Sequence, residues 1–117
     1  MRAAVRTLMS LEVDDLAGWV PEDDSWALGV RIIAGPDDGP GEESFDLVVC
    51  NLGWLVEQLQ ISEVIDGRHL LIVDSYVWPS LRAHIERRVQ ECEGSSWEEV
   101  AGQLGRFAFW EFEDYQH

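Results

Sequence analysis

At 117 residues the chain has the length of one domain, able to bury roughly two-thirds of the surface that its unfolded form exposes. Hydrophobic residues make up 46% of it and are spread along its length, which excludes a long disordered segment, and no apolar run approaches the ~20 residues that cross a bilayer. Twenty-three acids against eight arginines, with no lysine, give a net charge of −15, a balance that repels nucleic acid and anionic membranes and attracts a basic partner.

In chain order, Arg2 to Val13 reads as a first strand with Val5, Thr7, Met9 and Leu11 on one face at period two. Asp14 to Ser25 follows as an acidic connection in which Leu16, Trp19 and Val20 stand among carboxylates and Pro21 discourages regular structure. Trp26, Leu28, Val30, Ile32 and Ala34 then mark the apolar face of a second strand, ended by Gly35-Pro36. The acidic turn from Pro36 to Glu43 leads into a third strand with Phe45, Leu47 and Val49 on one face, so the two strands predict an antiparallel hairpin with a long tip.

Asn51 suits the N-cap of a helix that stacks Leu55 on Leu59, with Trp54 and Leu52 beside them, and stops near Gln60. After the Asp66-Gly67 turn, Arg68 to Val73 reads as a fourth, more buried strand. Pro79 opens a helix with Leu81, Ile85, Val89 and Cys92 in one stripe, ending at Gly94. Ser96 with Glu99 predicts a capping box for a last helix carrying Trp97, Val100 and Leu104 and ending at Gly105. Phe107 to Phe112 reads as a final strand or an extended packed tail. The order βββ-α-β-α-α predicts an α+β fold, a single domain over residues 1–117 with an antiparallel sheet of about four strands and about three helices packed on it. Strand order is left open, and an unpaired edge could support a homodimer.

The residue types of a catalytic site are sparse. His69, His84 and His117 stand in no catalytic motif, and Cys50 and Cys92 lie on expected apolar faces where they read as structural, reduced thiols rather than partners in a Cys92/His84 or Cys50/His69 dyad. The tip carboxylates Asp37, Asp38, Glu42 and Glu43 lack the pattern of a calcium loop and the enclosure that a general acid needs. Gly35 to Gly41 has acids where a phosphate cradle needs amide donors and a lysine. Arg82, Arg87 and Arg88 alternate with Glu86, Glu91 and Glu93 and read as helix-surface pairs. Neither an enzyme, a metal nor a cofactor is expected.

Six tryptophans exceed what a minimal core needs. Trp19, between Asp14/Asp15 and Glu22/Asp23/Asp24, admits two readings: an aromatic interface anchor rimmed by acids, or a loop tryptophan folded back over the sheet. Exposure and charge together point to partner contact through Asp14, Asp15, Trp19, Glu22, Asp23 and Asp24 in the first loop and Asp37, Asp38, Glu42 and Glu43 at the hairpin tip.

A chain-wide set of short motifs resembles the immunity protein 8 family of bacterial polymorphic toxin systems. It comprises Val13-Asp14-Asp15-Leu16, Pro21-Glu22-Asp23, Gly35-Pro36, Gly41 to Asp46 through Val49-Cys50, Trp54-Leu55, Arg68-His69 and Trp110-Glu111-Phe112. Asn51-Leu52 stands where the family carries a Thr-Pro pair, a difference that bears on capping. The resemblance implies a protein without activity of its own that neutralises a cognate toxin by direct binding; the charge adds that the toxin is basic, with a nuclease as the class it suggests. With no signal-peptide core between Met1 and Leu11, the expected compartment is the cytoplasm. An acidic cytoplasmic adaptor or regulatory protein without a toxin would have the same surface and is the alternative.

Overall fold

The computed structural model describes residues 1–113, so His117 lies outside the described residues. Its elements are β1 (Ala3–Met9), β2 (Ala27–Pro36), β3 (Glu43–Cys50), α1 (Leu52–Ser62), β4 (Leu70–Ile72), α2 (Trp78–Gln90), α3 (Trp97–Leu104) and β5 (Phe109–Trp110). The strands form one five-stranded sheet in the order β1-β2-β3-β4, with β5 also on β3.

Alternation explains the centre of the sheet. Leu28, Val30, Ile32 and Ala34 of β2 and Phe45, Leu47 and Val49 of β3 are all buried, and the register sets Val30 opposite Leu47 and Ile32 opposite Phe45. On the other face Arg31 meets Asp46 in a bidentate pair at 2.8 and 3.0 Å. Two helices close the apolar face: α2 contributes Leu81, Ile85 and Val89, and α3 contributes Val100, Ala101 and Leu104. The expected stripe on α2 is thus the one that packs, with Cys92 extending it beyond the helix end.

The sheet is mixed rather than antiparallel. β4 runs parallel to β3 because α1 is a crossover connection that carries the chain back before the next strand begins. β4 is also a short edge strand with Leu70 and Leu71 half-buried and Ile72 exposed, not the more buried strand that its apolar run suggested. β5 pairs antiparallel with β3, placing Trp110 beside Phe45.

Two other expectations are corrected. In β1 the register passes from Val5 opposite Ala34 to Thr7 opposite Ile33, so Arg6 is the extra residue of a bulge. The bulge changes which residues face inward: Ala3, Val5 and Leu8 turn to the core while Thr7 and Met9 are exposed. The long helix ends at Gln90 rather than Gly94, because the next residues pair with the N-terminal segment instead. The Cys92 carbonyl accepts from Ala3 N–H at 3.1 Å, and Gly94 N–H donates to the Met1 carbonyl at 3.0 Å.

The helix that departs most from expectation is α1. None of its residues is buried, and of its expected inner set Trp54 and Leu55 are half-buried while Leu52 and Leu59 are exposed. Among the described residues no helix is long and apolar enough to cross a membrane.

Candidate functional site

The first loop is pinned by its apolar residues. Leu16 is buried, and its carbonyl accepts from the Tyr76 hydroxyl. Trp19 is half-buried, edge-on to Trp26 at 5.5 Å and to Tyr76 at 4.8 Å, while Trp26 and Tyr76 meet edge-to-face at 5.7 Å. The tryptophan therefore folds back over the sheet end, and what it contributes outwardly is a rigid base for the acids around it. Burial, and after it the charge of Asp15, pushes the Tyr76 hydroxyl up, so it remains a hydrogen-bond donor.

With these anchors set, Asp14, Asp15, Glu22, Asp23 and Asp24 all stand exposed. Asp15 orders its own turn by accepting from Ala17 N–H at 3.2 Å. The end of the loop is tied to α1 through Asn51, whose Oδ1 accepts from Trp26 N–H and Trp54 N–H, both at 3.1 Å, while its Nδ2 donates to the Asp24 carbonyl. The expected N-cap is thus also a bracket between loop and helix, and it brings Asp24 next to the start of α1.

The hairpin tip lies at the other end of β2. That strand has 10 residues, so at ~3.3 Å each its two ends, from which the loops leave, lie roughly 30 Å apart. Arg6 straddles the tip and donates to the carbonyls of Pro36 at 2.6 Å and Gly39 at 2.8 Å. Asp37 accepts from Arg2 N–H at 3.0 Å, and its own N–H donates to the Arg2 carbonyl at 2.8 Å. Asp37, Asp38 and Glu42 are exposed, but Glu43 is half-buried and its carboxylate accepts from Trp110 Nε1, which removes it from the free tip. The structure does not bring the two loops together.

Charges are segregated. Six arginines enter ion pairs: Arg2 with Glu93, Arg31 with Asp46, Arg68 with Glu113, Arg82 with Glu86, and both Arg87 and Arg88 with Glu91. Among the described residues none of these pairs uses an acid of the first loop or the tip. The acids that are ion-paired lie on or beside α2 and the sheet strands, whereas the first loop and the tip carry exposed acids outside these pairs.

The groups considered for chemistry are committed elsewhere. Cys92 donates to the Arg88 carbonyl at 3.5 Å, Cys50 is fully buried, and burial raises both thiols. His84 is lowered first by burial and then by Arg87 and Arg88, and in its neutral form Nδ1 accepts from Arg87 at 2.9 Å. His69 Nε2 donates to the Gly105 carbonyl at 2.8 Å. Among the described residues no three His, Cys, Asp or Glu side chains are placed to hold a metal.

Sequence reasoning did not anticipate that the outer face of α1 stays exposed. Its i, i+4, i+7 apolar spacing was legible, but such spacing ordinarily marks a face packed on the core. Here the neighbouring end of the sheet is already covered by the first loop and its aromatic cluster.

Fold and surface together define an acidic α+β protein with two helices packed on its sheet and two exposed acidic loops outside its ion pairs. A family model described as Immunity protein 8 matches residues 3–115, and the chain belongs to that family. No curated protein and no solved structure matches it.

Proposed function

We propose that this protein binds and neutralises a cognate polymorphic toxin domain in the cytoplasm, by protein-protein contact and without catalysis. Family membership supports the immunity role, and the observation that carries the mode of action is the segregation of charge. Asp14, Asp15, Glu22, Asp23 and Asp24 are exposed and outside the ion pairs, on a loop anchored by Leu16 and Trp19. A basic toxin, of which a nuclease is the class favoured by charge, would be drawn to that loop, and complementary fields raise association rates by about 10 to 10³-fold. Asp37, Asp38 and Glu42 at the distant tip add to the steering field.

The test is co-expression with the toxin domain encoded beside this gene, followed by binding kinetics against the inactivated toxin. Rescue of growth by the native protein, with association slowed at least tenfold in an Asp23→Arg/Asp24→Arg variant and a weaker salt dependence, is the expected result. Death of the cells despite soluble expression of the native protein would favour an adaptor or regulatory role instead.

A further inference from the structure

We infer that the outer face of α1 is the apolar centre of the toxin-binding surface, and that its occupant is a toxin patch of apolar side chains ringed by arginines or lysines. The inference rests on the toxin-binding reading and assigns the energy of binding to a helix rather than to the acidic loops.

Leu52, Val56 and Leu59 are 67%, 47% and 45% exposed. Their spacing of four and three residues places them in a single stripe, opposite the half-buried Trp54 and Gln58, running ~10 Å along the helix. Ile61 at 76%, half a turn round the helix from the stripe, and Val64 at 79%, beyond the helix end, are exposed as well. An exposed apolar stripe with acids at both of its ends, Asp24 before it and Glu63 after it, fits the anatomy of an interface that is apolar at the centre and polar at the rim.

Charge selects the occupant. No basic residue lies between Arg31 and Arg68 in the sequence, whereas Glu57 and Glu63 are exposed on and just beyond the helix. At the N-terminal end the Asn51 bracket holds the Asp24 backbone beside the helix start, so the acids of the first loop begin there. A second copy of this chain docked face to face would press together two segments that carry acids and no basic residue, between molecules that each carry −15. A basic-rimmed apolar patch meets both the stripe and its border.

The experiment compares the native protein with a Val56→Gln/Leu59→Gln variant, which keeps good helix formers on an exposed face and should melt as the native protein does. The probe is the inactivated toxin domain encoded beside this gene, titrated at low and at high salt, with hydrogen exchange on the native complex as a second readout. Expected are a loss of affinity of at least tenfold at both salt concentrations, and protection of the α1 amides on binding. Native affinity in the variant, or α1 amides that exchange equally fast in the complex, would overturn the inference and leave the immunity role standing. Failure of the native protein to bind the toxin at all would overturn both. Sedimentation of the native protein alone as a dimer that the variant splits would give the face to a second copy and overturn the inference.

Discussion

The side-chain oxygen of Asn51 accepts from the backbone of Trp26, 25 residues earlier, at 3.1 Å, while it caps α1 through Trp54 at the same distance. One amide thus fixes the start of a strand, the end of the first loop and the start of a helix. Replacing an N-cap of this type by alanine costs about 1 kcal/mol, and leaving the part-buried Trp26 N–H without its acceptor costs about 1–3 kcal/mol more. Asn51→Ala is expected to lower stability by about 2–4 kcal/mol on those grounds, measured by urea unfolding. Asn51→Asp keeps the acceptor but loses the bond to the Asp24 carbonyl, so it should fall between the two.

Gly35 is required by a close approach. A Cβ there would lie 1.9 Å from the Gly41 carbonyl oxygen, and Gly41 itself has a φ of +111°, which side chains disfavour. Neither backbone can move away freely, because Arg6 clamps the neighbouring carbonyls of Pro36 and Gly39. Gly35→Ala should destabilise the protein by about 1–3 kcal/mol, in the range of overpacking, with thermal melting as the measurement. Gly39→Ala, where nothing stands within reach of an added Cβ, should cost much less.

Glu99 gives α3 an acid-sensitive start. Its carboxylate accepts from the Ser95 N–H at 3.1 Å and the Ser95 hydroxyl at 2.9 Å, and these two bonds, backbone first, hold it below the ordinary glutamate range. A depressed folded-state value means that the stabilisation is complete above the unfolded-state value and is lost as pH falls through the folded one. Glu99→Gln should therefore melt below the native protein at neutral pH, with the difference closing as the solution is acidified below the carboxylate range. A difference that stays constant with pH would show that the charge has no part in it.

Cys50 and Cys92 are free, buried, and raised by that burial. Since the thiolate is the reactive form, neither should be modified by an aromatic disulfide reagent at neutral pH within the time that unfolded protein reacts fully. Two thiols should appear in denaturant, and the slow native rate should track unfolding as denaturant is raised. Rapid native labelling of either one would place it at the surface.

Much of the fold was legible because it follows from local spacing. The alternation in β2 and β3, the stripe Leu81, Ile85, Val89 and Cys92, and the caps at Asn51 and Ser96 depend on residues within a few positions of one another. The family resemblance was legible for a different reason, since its short motifs keep their order along nearly the whole chain, as does the family match over residues 3–115. Of the expected contact residues, the acids of the first loop, with Asp37, Asp38 and Glu42, are exposed as charge alone suggested. Trp19 and Glu43 are not free, because their partners, Tyr76 and Trp110, are 57 and 67 residues away in the chain.

By itself, then, the sequence determined which segments are strands and helices, the sign of the surface and the family, all properties of composition and near neighbours. Tertiary structure alone decided which apolar faces are covered and which charges are cancelled. The Arg6 bulge turned part of β1 over, the crossover through α1 made β4 parallel, and the first loop packed Leu16 and Trp19 on the core while α1 buried none of its residues. The physical reason is that periodicity specifies a face but not its partner. Only the folded topology places another surface against that face or leaves it open, as it does along Leu52, Val56 and Leu59.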